Sequence, residues 1–193
     1  MRAWRTSATV GRMTATEPTG GLRVLVVVAT KHGATREIAE AVVRGLTDDG
    51  TAGPPLTAVL QEAEHAPSPA GFAAVVVGSA VYAGRWRETA RDWVGAHAAD
   101  LRARPVWLFS SGPIGSPPFP PDEPHDVQPL SQLIGARGHQ VFPGRLEKSL
   151  LSFGERAMVT AMRAPLGDFR DWDAIRAWAA EVAAQLRDLL SLS

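Results

Sequence analysis

The sequence contains no cysteine among its 193 residues. Disulfides, thiolate metal sites and thiol nucleophiles are therefore all excluded. An excess of one charge is also missing, since 20 Lys and Arg residues balance 20 Asp and Glu residues. A chain without net charge has no overall attraction to nucleic acid, so no nucleic-acid partner is expected. Any redox chemistry must come from a bound cofactor.

Several familiar motifs are absent as well. The dinucleotide pattern G-x-G-x-x-G and the P-loop pattern G-x-x-x-x-G-K-[ST] do not occur, which argues against a Rossmann site and a nucleotide hydrolase. No G-x-S-x-G elbow of a hydrolase is present. The His residues show no ligand spacing, so no metal site is expected. No apolar run approaches the roughly 20 residues of a membrane-spanning helix, and we expect a cytoplasmic protein.

Apolar runs bounded by turn residues recur along the chain, with helical patterns between them. The runs are Leu22–Ala29, Leu56–Leu60, Phe72–Gly78, Val106–Ser110 and His139–Phe142. The helical patterns start at Ala34, cover Trp86–Ala99 and Val127–Ala136, and follow Asp171, which is placed to cap the last helix. This alternation predicts an α/β fold, an open doubly wound parallel sheet of five strands with helices on both faces. We expect residues 1–20 to form a disordered extension and residues 21–193 a single domain.

Ligands of such sheets bind at the carboxyl ends of the strands, and the loop after the first strand is suited to an anion. Its residues are Thr30, Lys31, His32, Gly33, Ala34 and Thr35. The first N–H groups of a helix have no intrahelical acceptors, and Thr hydroxyls add further donors. The loop therefore predicts a phosphate site of the kind that suits a mononucleotide such as FMN. The alternative is that a Thr merely caps the helix.

Two further strand-end loops are predicted to hold a planar ring. The loop after the third strand contains Ser79, Ala80, Val81, Tyr82, Ala83 and Gly84, and Tyr82 is the only tyrosine in the chain. Its aromatic ring can stack on a flat ligand, or it can pack with Trp86 over a helix edge. After the fourth strand the chain continues with Ser111, Gly112, Pro113 and Ile114, whose backbone N–H groups can meet a polar ring edge. An ordinary Gly-Pro turn is the alternative there.

These loops resemble those of the flavodoxin family. Residues Thr30 to Thr35 resemble its phosphate loop, with His32 in place of a hydroxyl and Ala34 in place of the usual Asn. The stretches "VVVGSAVYAGRW", "QVFPGRLEKSLLSFGERAMVTAM" and "DFRDWDAIRAWA" resemble the branch that contains the menaquinone-dependent, oxygen-independent protoporphyrinogen oxidase. The resemblance implies the strand order 2-1-3-4-5, FMN as cofactor and a redox role. It assigns no catalytic acid or base and no porphyrin-binding residue.

The segment 145–163 has its own helical pattern. Leu146, Leu150, Phe153, Ala157 and Ala161 follow steps of three and four, with basic residues around them. The favoured interpretation is a helix laid on the sheet with a solvated basic face. The alternative is peripheral contact with a membrane or quinone pool at the inner face of a membrane.

Three functions remain open at this point. The first is an FMN-dependent oxidoreductase that moves electrons from a small-molecule reductant to a quinone or a redox protein. The second is a flavodoxin-type carrier of electrons between proteins. Such a carrier usually has a strongly acidic docking face, and the balanced charge of this chain argues against it. The third is a flavodoxin-fold binding module that has lost FMN.

Overall fold

The computed structural model describes residues 21–48, 53–112, 114 and 124–191. The N-terminal extension expected at residues 1–20 lies outside this part of the chain. The strands are β1 (Leu22–Ala29), β2 (Leu56–Glu62), β3 (Ala74–Tyr82), β4 (Arg85–Trp86), β5 (Val106–Ser111), β6 (Gly138–Phe142), β7 (Arg145–Leu146) and β8 (Gly167–Asp168). The helices are α1 (Ala34–Leu46), α2 (Glu88–Ala96), α3 (Ala98–Arg102), α4 (Val127–Ile134), α5 (Phe153–Ala161) and α6 (Trp172–Ser191), and short 3₁₀ turns cover Pro69–Gly71 and Lys148–Leu150.

Five strands form a parallel sheet in the order β2-β1-β3-β5-β6. The predicted order 2-1-3-4-5 is confirmed, because the added strand β4 has only two residues and pairs antiparallel with β3. The continuous valine run of β1 is buried from Val24 to Ala29. Such a run without polar alternation fits a strand that is covered on both faces.

Helices cover the sheet on two sides. One apolar cluster contains Ile38 and Val42 of α1 together with Ile175, Ala179 and Val182 of α6. The other joins the opposite sheet face to α2 and α4. The predicted cap of α6 is confirmed, since the Asp171 carboxylate accepts a hydrogen bond from the Ala174 N–H.

Two predicted helices differ from the structure. Trp86 was placed at the start of a helix, but it lies in β4 after a tight turn whose Ala83 and Gly84 have φ of 48° and 72°. The helical pattern after it is divided, because α2 ends at Ala96 and α3 begins at Ala98.

The second difference concerns the segment 145–163. It holds strand β7, a 3₁₀ turn and α5, and no residue of α5 is buried. The expectation of a helix laid on the sheet is therefore wrong. A repeat of apolar residues predicts a helix, but it does not tell which surface the helix meets.

Gly45 sets the contact between α1 and α6. A Cβ atom at this position would lie 2.6 Å from the Cβ atom of Ala179, whereas a Cβ at Gly95 in α2 would meet nothing within 4 Å. We expect Gly45→Ala to destabilise the fold by about 1–3 kcal/mol through overpacking. Gly95→Ala should be neutral or stabilise by up to about 1 kcal/mol because alanine is the better helix former.

Urea unfolding of the two variants and of the double variant Gly45→Ala/Ala179→Gly measures these effects. The double variant should recover much of the loss, since it restores the space between the helices. Equal stability of Gly45→Ala and the unmodified protein would contradict the close contact.

Candidate functional site

A cavity of about 530 Å³ opens at the carboxyl ends of β1, β3 and β5. This volume lies within the usual range of small-molecule sites. All three predicted loops contribute to it, with Thr30, Lys31, His32, Ala34 and Thr35 from the first, Ala80, Val81, Tyr82 and Ala83 from the second, and Ser111, Gly112 and Ile114 from the third. The structure thus brings together residues that are up to 84 positions apart in the chain, counted from Thr30 to Ile114.

The first loop presents free donors to the cavity. Gly33 has a φ of 83°, and its N–H donates to the Thr30 hydroxyl oxygen at 3.1 Å. Thr35 is only 2% exposed and lines the cavity. Within the described chain, no hydrogen bond joins its hydroxyl to another residue. The Thr35 hydroxyl, beside the first turn of α1, is therefore available to a ligand oxygen in the cavity.

The second loop contributes its middle residues. Tyr82 is 41% exposed at the cavity, and its ring lies edge-on to the His32 ring with 6.5 Å between the centroids. Burial is the largest cause of the raised pKa of the Tyr82 hydroxyl, followed by the charge of Glu155. The Lys31 ammonium lies 5.5 Å from the centre of the same ring. Tyr82 is thus positioned for ring contact with a ligand.

Two residues predicted for the second loop do not line the cavity. The buried Ser79 hydroxyl donates to the Ala80 carbonyl and accepts from the Arg87 N–H, so it shapes the β3–β4 turn. Gly84 completes that turn, and its carbonyl accepts from the His125 N–H. In the third loop, Pro113 lies outside the described residues.

The remaining wall comes from Gly144, Arg145 and Leu146 and from residues 147–166, which we call the flap. The flap begins after β7 and ends before β8, and these two strands pair with each other in a separate small sheet. The flap residues that line the cavity are Glu147, Leu150, Leu151, Glu155, Met158, Val159, Met162 and Ala164. The sequence pattern predicted a helix here but did not connect it to the site, because no local signal indicates which distant surface an exposed helix covers.

Glu155 joins the flap to the first loop. Its Oε1 lies 2.6 Å from Lys31 Nζ and 3.1 Å from His32 Nε2, and its Oε2 accepts from the Ser152 N–H at 2.8 Å. The hydrogen bond from Lys31 is the largest cause that holds the pKa of Glu155 well below its usual range, followed by those from Ser152 and His32. The carboxylate is therefore charged at neutral pH and seated against the predicted phosphate loop.

Behind the loop, Glu37 ties α1 to the base of the flap. Its carboxylate accepts from Arg145 at 2.9 Å and from Arg170 at 2.8 Å. Arg170 also donates to Asp168 of β8 at 2.6 Å. These ion pairs connect β7 and β8, between which the flap lies, to the first turn of α1.

Comparisons with known proteins agree with this architecture. The sequence model of the flavodoxin domain matches residues 25–173. The chain belongs to the flavodoxin domain family. FMN is accordingly the cofactor of this domain. No curated protein sequence matches the chain.

Solved structures show the same fold at low identity. A flavodoxin from the domain Archaea is 11% identical with a TM-score of 0.60, and the match covers 86% of this chain and 99% of that one. A flavodoxin from Streptococcus pneumoniae is 19% identical with a TM-score of 0.55, over 84% and 99% of the two chains. The rubredoxin:oxygen oxidoreductase from Desulfovibrio gigas is 11% identical with a TM-score of 0.58, over 87% of this chain. This chain spans only 37% of that enzyme's length.

The site is chemically suited to FMN. The unpaired Thr35 hydroxyl and the first turn of α1 form a polar end that can accept a phosphate, whereas Tyr82, Val81 and the flap form an apolar end for a ring. Among the described residues, no group of three or more His, Asp or Glu is placed to hold a metal ion. No helix in the same part of the chain is long and apolar enough to cross a membrane.

Proposed function

We propose that this flavodoxin-family protein is an FMN-dependent oxidoreductase that takes electrons from a reduced small molecule and passes them to a quinone or to a protein acceptor. The observation that carries the proposal is the flap, which turns an open sheet edge into a cavity with an apolar wall. A pure electron carrier needs no such wall, because it exchanges electrons at an open edge with another protein. Protoporphyrinogen is one reductant of this kind, supported only by the resemblance of the sequence stretches described above.

In this proposal the three loops and the flap have different roles in binding. Thr30, Gly33, Thr35 and the N–H groups at the start of α1 hold the phosphate, with Lys31, His32 and Ala34 beside them. Ala80, Val81, Tyr82 and Ala83 contact one side of the ring, Ser111, Gly112, Pro113 and Ile114 meet its other edge, and Ser79 and Gly84 shape the β3–β4 turn. The flap excludes water and positions the second substrate. Bound FMN supplies the acceptance and release of electrons.

The first test concerns the phosphate site. We expect Thr35→Val to weaken FMN binding by roughly ten- to a hundredfold, because a hydrogen bond to a charged group is lost. Riboflavin, which lacks the phosphate, should bind both proteins equally. Thr47→Val is the matched control, since the Thr47 hydroxyl donates to Val43 O at the far end of α1. Fluorescence titration of the flavin-free protein measures both ligands.

The absence of FMN binding in the unmodified protein would overturn the proposed function and favour a binding module without cofactor. Equal loss of FMN and riboflavin in Thr35→Val would instead place the ring, and not the phosphate, near this hydroxyl.

The second test separates an enzyme from a carrier. Val159 lines the cavity, whereas Ala157 on the same helix is exposed and does not. We expect Val159→Trp to slow the reaction in which a water-soluble quinone oxidises the bound, reduced FMN. The rate should fall about tenfold or more, because the indole fills the space for the second substrate. Ala157→Trp should have little effect. Stopped-flow absorbance under anaerobic conditions gives the rates.

A flavodoxin-type carrier is the second candidate, favoured by the match to 99% of the length of single flavodoxins. It would predict equal quinone rates for both tryptophan variants and fast electron transfer to a redox protein. Such a result would replace the enzyme with the carrier.

The flap also supports a proposal about location. Phe153 is 89% exposed and Met158 is 62% exposed, and Lys148, Arg156 and Arg163 lie on the same segment. We propose a cytoplasmic protein whose flap makes peripheral contact with an anionic membrane. Sedimentation with vesicles rich in phosphatidylserine should fall several-fold for Phe153→Asp and at high salt. Binding that ignores both changes would contradict this contact.

We further propose that residues 21–193 fold as one domain, because the two apolar clusters lie against the same sheet. The urea experiment on Gly45 variants would show this as one cooperative transition, and two separate transitions would contradict it.

A further inference from the structure

We propose that Glu155 holds the two side chains of the first loop that can carry positive charge, Lys31 and His32, and competes for them with the cofactor phosphate, so that this residue sets the selectivity between FMN and riboflavin. The inference rests on the proposed function, since it requires that FMN binds with its phosphate at residues 30–35. It adds a role for a flap residue that lies 124 positions from Lys31 in the chain.

The first argument is the position of the Glu155 carboxylate. Glu155 contacts both side chains of the loop that can carry positive charge, Lys31 at 2.6 Å and His32 at 3.1 Å. A carboxylate and a phosphate seek the same donors, and both are stabilised beside the start of a helix. Thr35, buried and without a partner in the described chain, lines the same cavity. Lys31 and His32 are thus already paired with one carboxylate, whereas the Thr35 hydroxyl is not.

The second argument is electrostatic. A phosphate at this loop would place a second anion close to the Glu155 carboxylate. Like charges at such a distance repel each other. Lys31 and His32 can then give their hydrogen bonds to the phosphate only when Glu155 moves away from them.

The third argument is that the middle of the flap can move away from the first loop. Within the described chain, its hydrogen bonds and ion pairs to other segments are those of Glu155 with the first loop and of Glu147 with Arg145 at its base. The other hydrogen bonds of α5 are local, such as the Arg156 donation to Leu151 O. Leu151 is the buried apolar anchor. Loss of the Glu155 contact therefore frees the middle of the flap and leaves its base in place.

The test compares FMN and riboflavin in the full-length, flavin-free protein and in Glu155→Gln. Glutamine keeps the capping-box contact with the Ser152 N–H but removes the charge. We expect FMN to bind Glu155→Gln about tenfold more tightly and riboflavin to change by less than about twofold, since only FMN carries the competing charge. Glu64→Gln is the control, because Glu64 is exposed and does not line the cavity, and it should leave the ratio of the two affinities unchanged.

Limited trypsin digestion provides a second readout. Arg156 and Arg163 lie on the flap and are exposed. Cutting there should be faster in the FMN complex than in the riboflavin complex, because both ligands fill the ring space but only FMN displaces Glu155. Glu155→Gln should be cut quickly with either ligand.

The outcomes separate the two proposals. Weaker or unchanged FMN binding in Glu155→Gln, or equal cutting of the two flavin complexes, would overturn the competition and leave the FMN site intact. Failure of both flavins to bind either protein would overturn the proposed function together with this inference.

Discussion

Burial of β1 on both faces is the constraint on which the rest of the molecule depends. A strand without a polar face must be covered by helices on each side, and in a parallel sheet these helices are the connections between strands. β1 pairs with β2 and β3 in parallel register, and β3 pairs in the same way with β5. The carboxyl ends of these strands therefore meet at one edge. The core therefore determines where the candidate site lies. Strand pairing brings the three loops together, and no contact among the loop residues is required.

The charges at this edge follow from the same arrangement. The start of α1 and the Lys31 ammonium concentrate positive potential beside a partly enclosed cavity, where water screens charge less well than at an open surface. The chain balances this with Glu155, whose second oxygen also caps α5. One carboxylate thus stabilises both a loop and a helix from a different part of the sequence. Glu37 has a similar double role at the base, where it joins α1 to Arg145 and Arg170.

The sequence predicted best what depends on local patterns. β1 and the start of α1 have the predicted bounds, because an apolar run and a helical repeat meet there at Gly33. Local patterns did not reveal the contacts that depend on residues elsewhere in the chain. Ser79 was expected at the ligand, but its hydroxyl is held by the Ala80 carbonyl and the Arg87 N–H across a turn that the pattern did not reveal. The contact of Glu155 with the first loop gave no local signal, since Lys31 and His32 are more than 120 residues away.

The flap shows how far such reasoning extends. Its apolar repeat was recognised in the sequence, yet α5 buries none of its residues. A helix of nine residues that buries nothing gains little from packing and is marginal by itself, so its capping box and its single polar contact carry much of its order. Met158, Val159 and Met162 face a cavity instead of a packed core. The segment is therefore better explained by the cavity that it covers than by the stability of the fold.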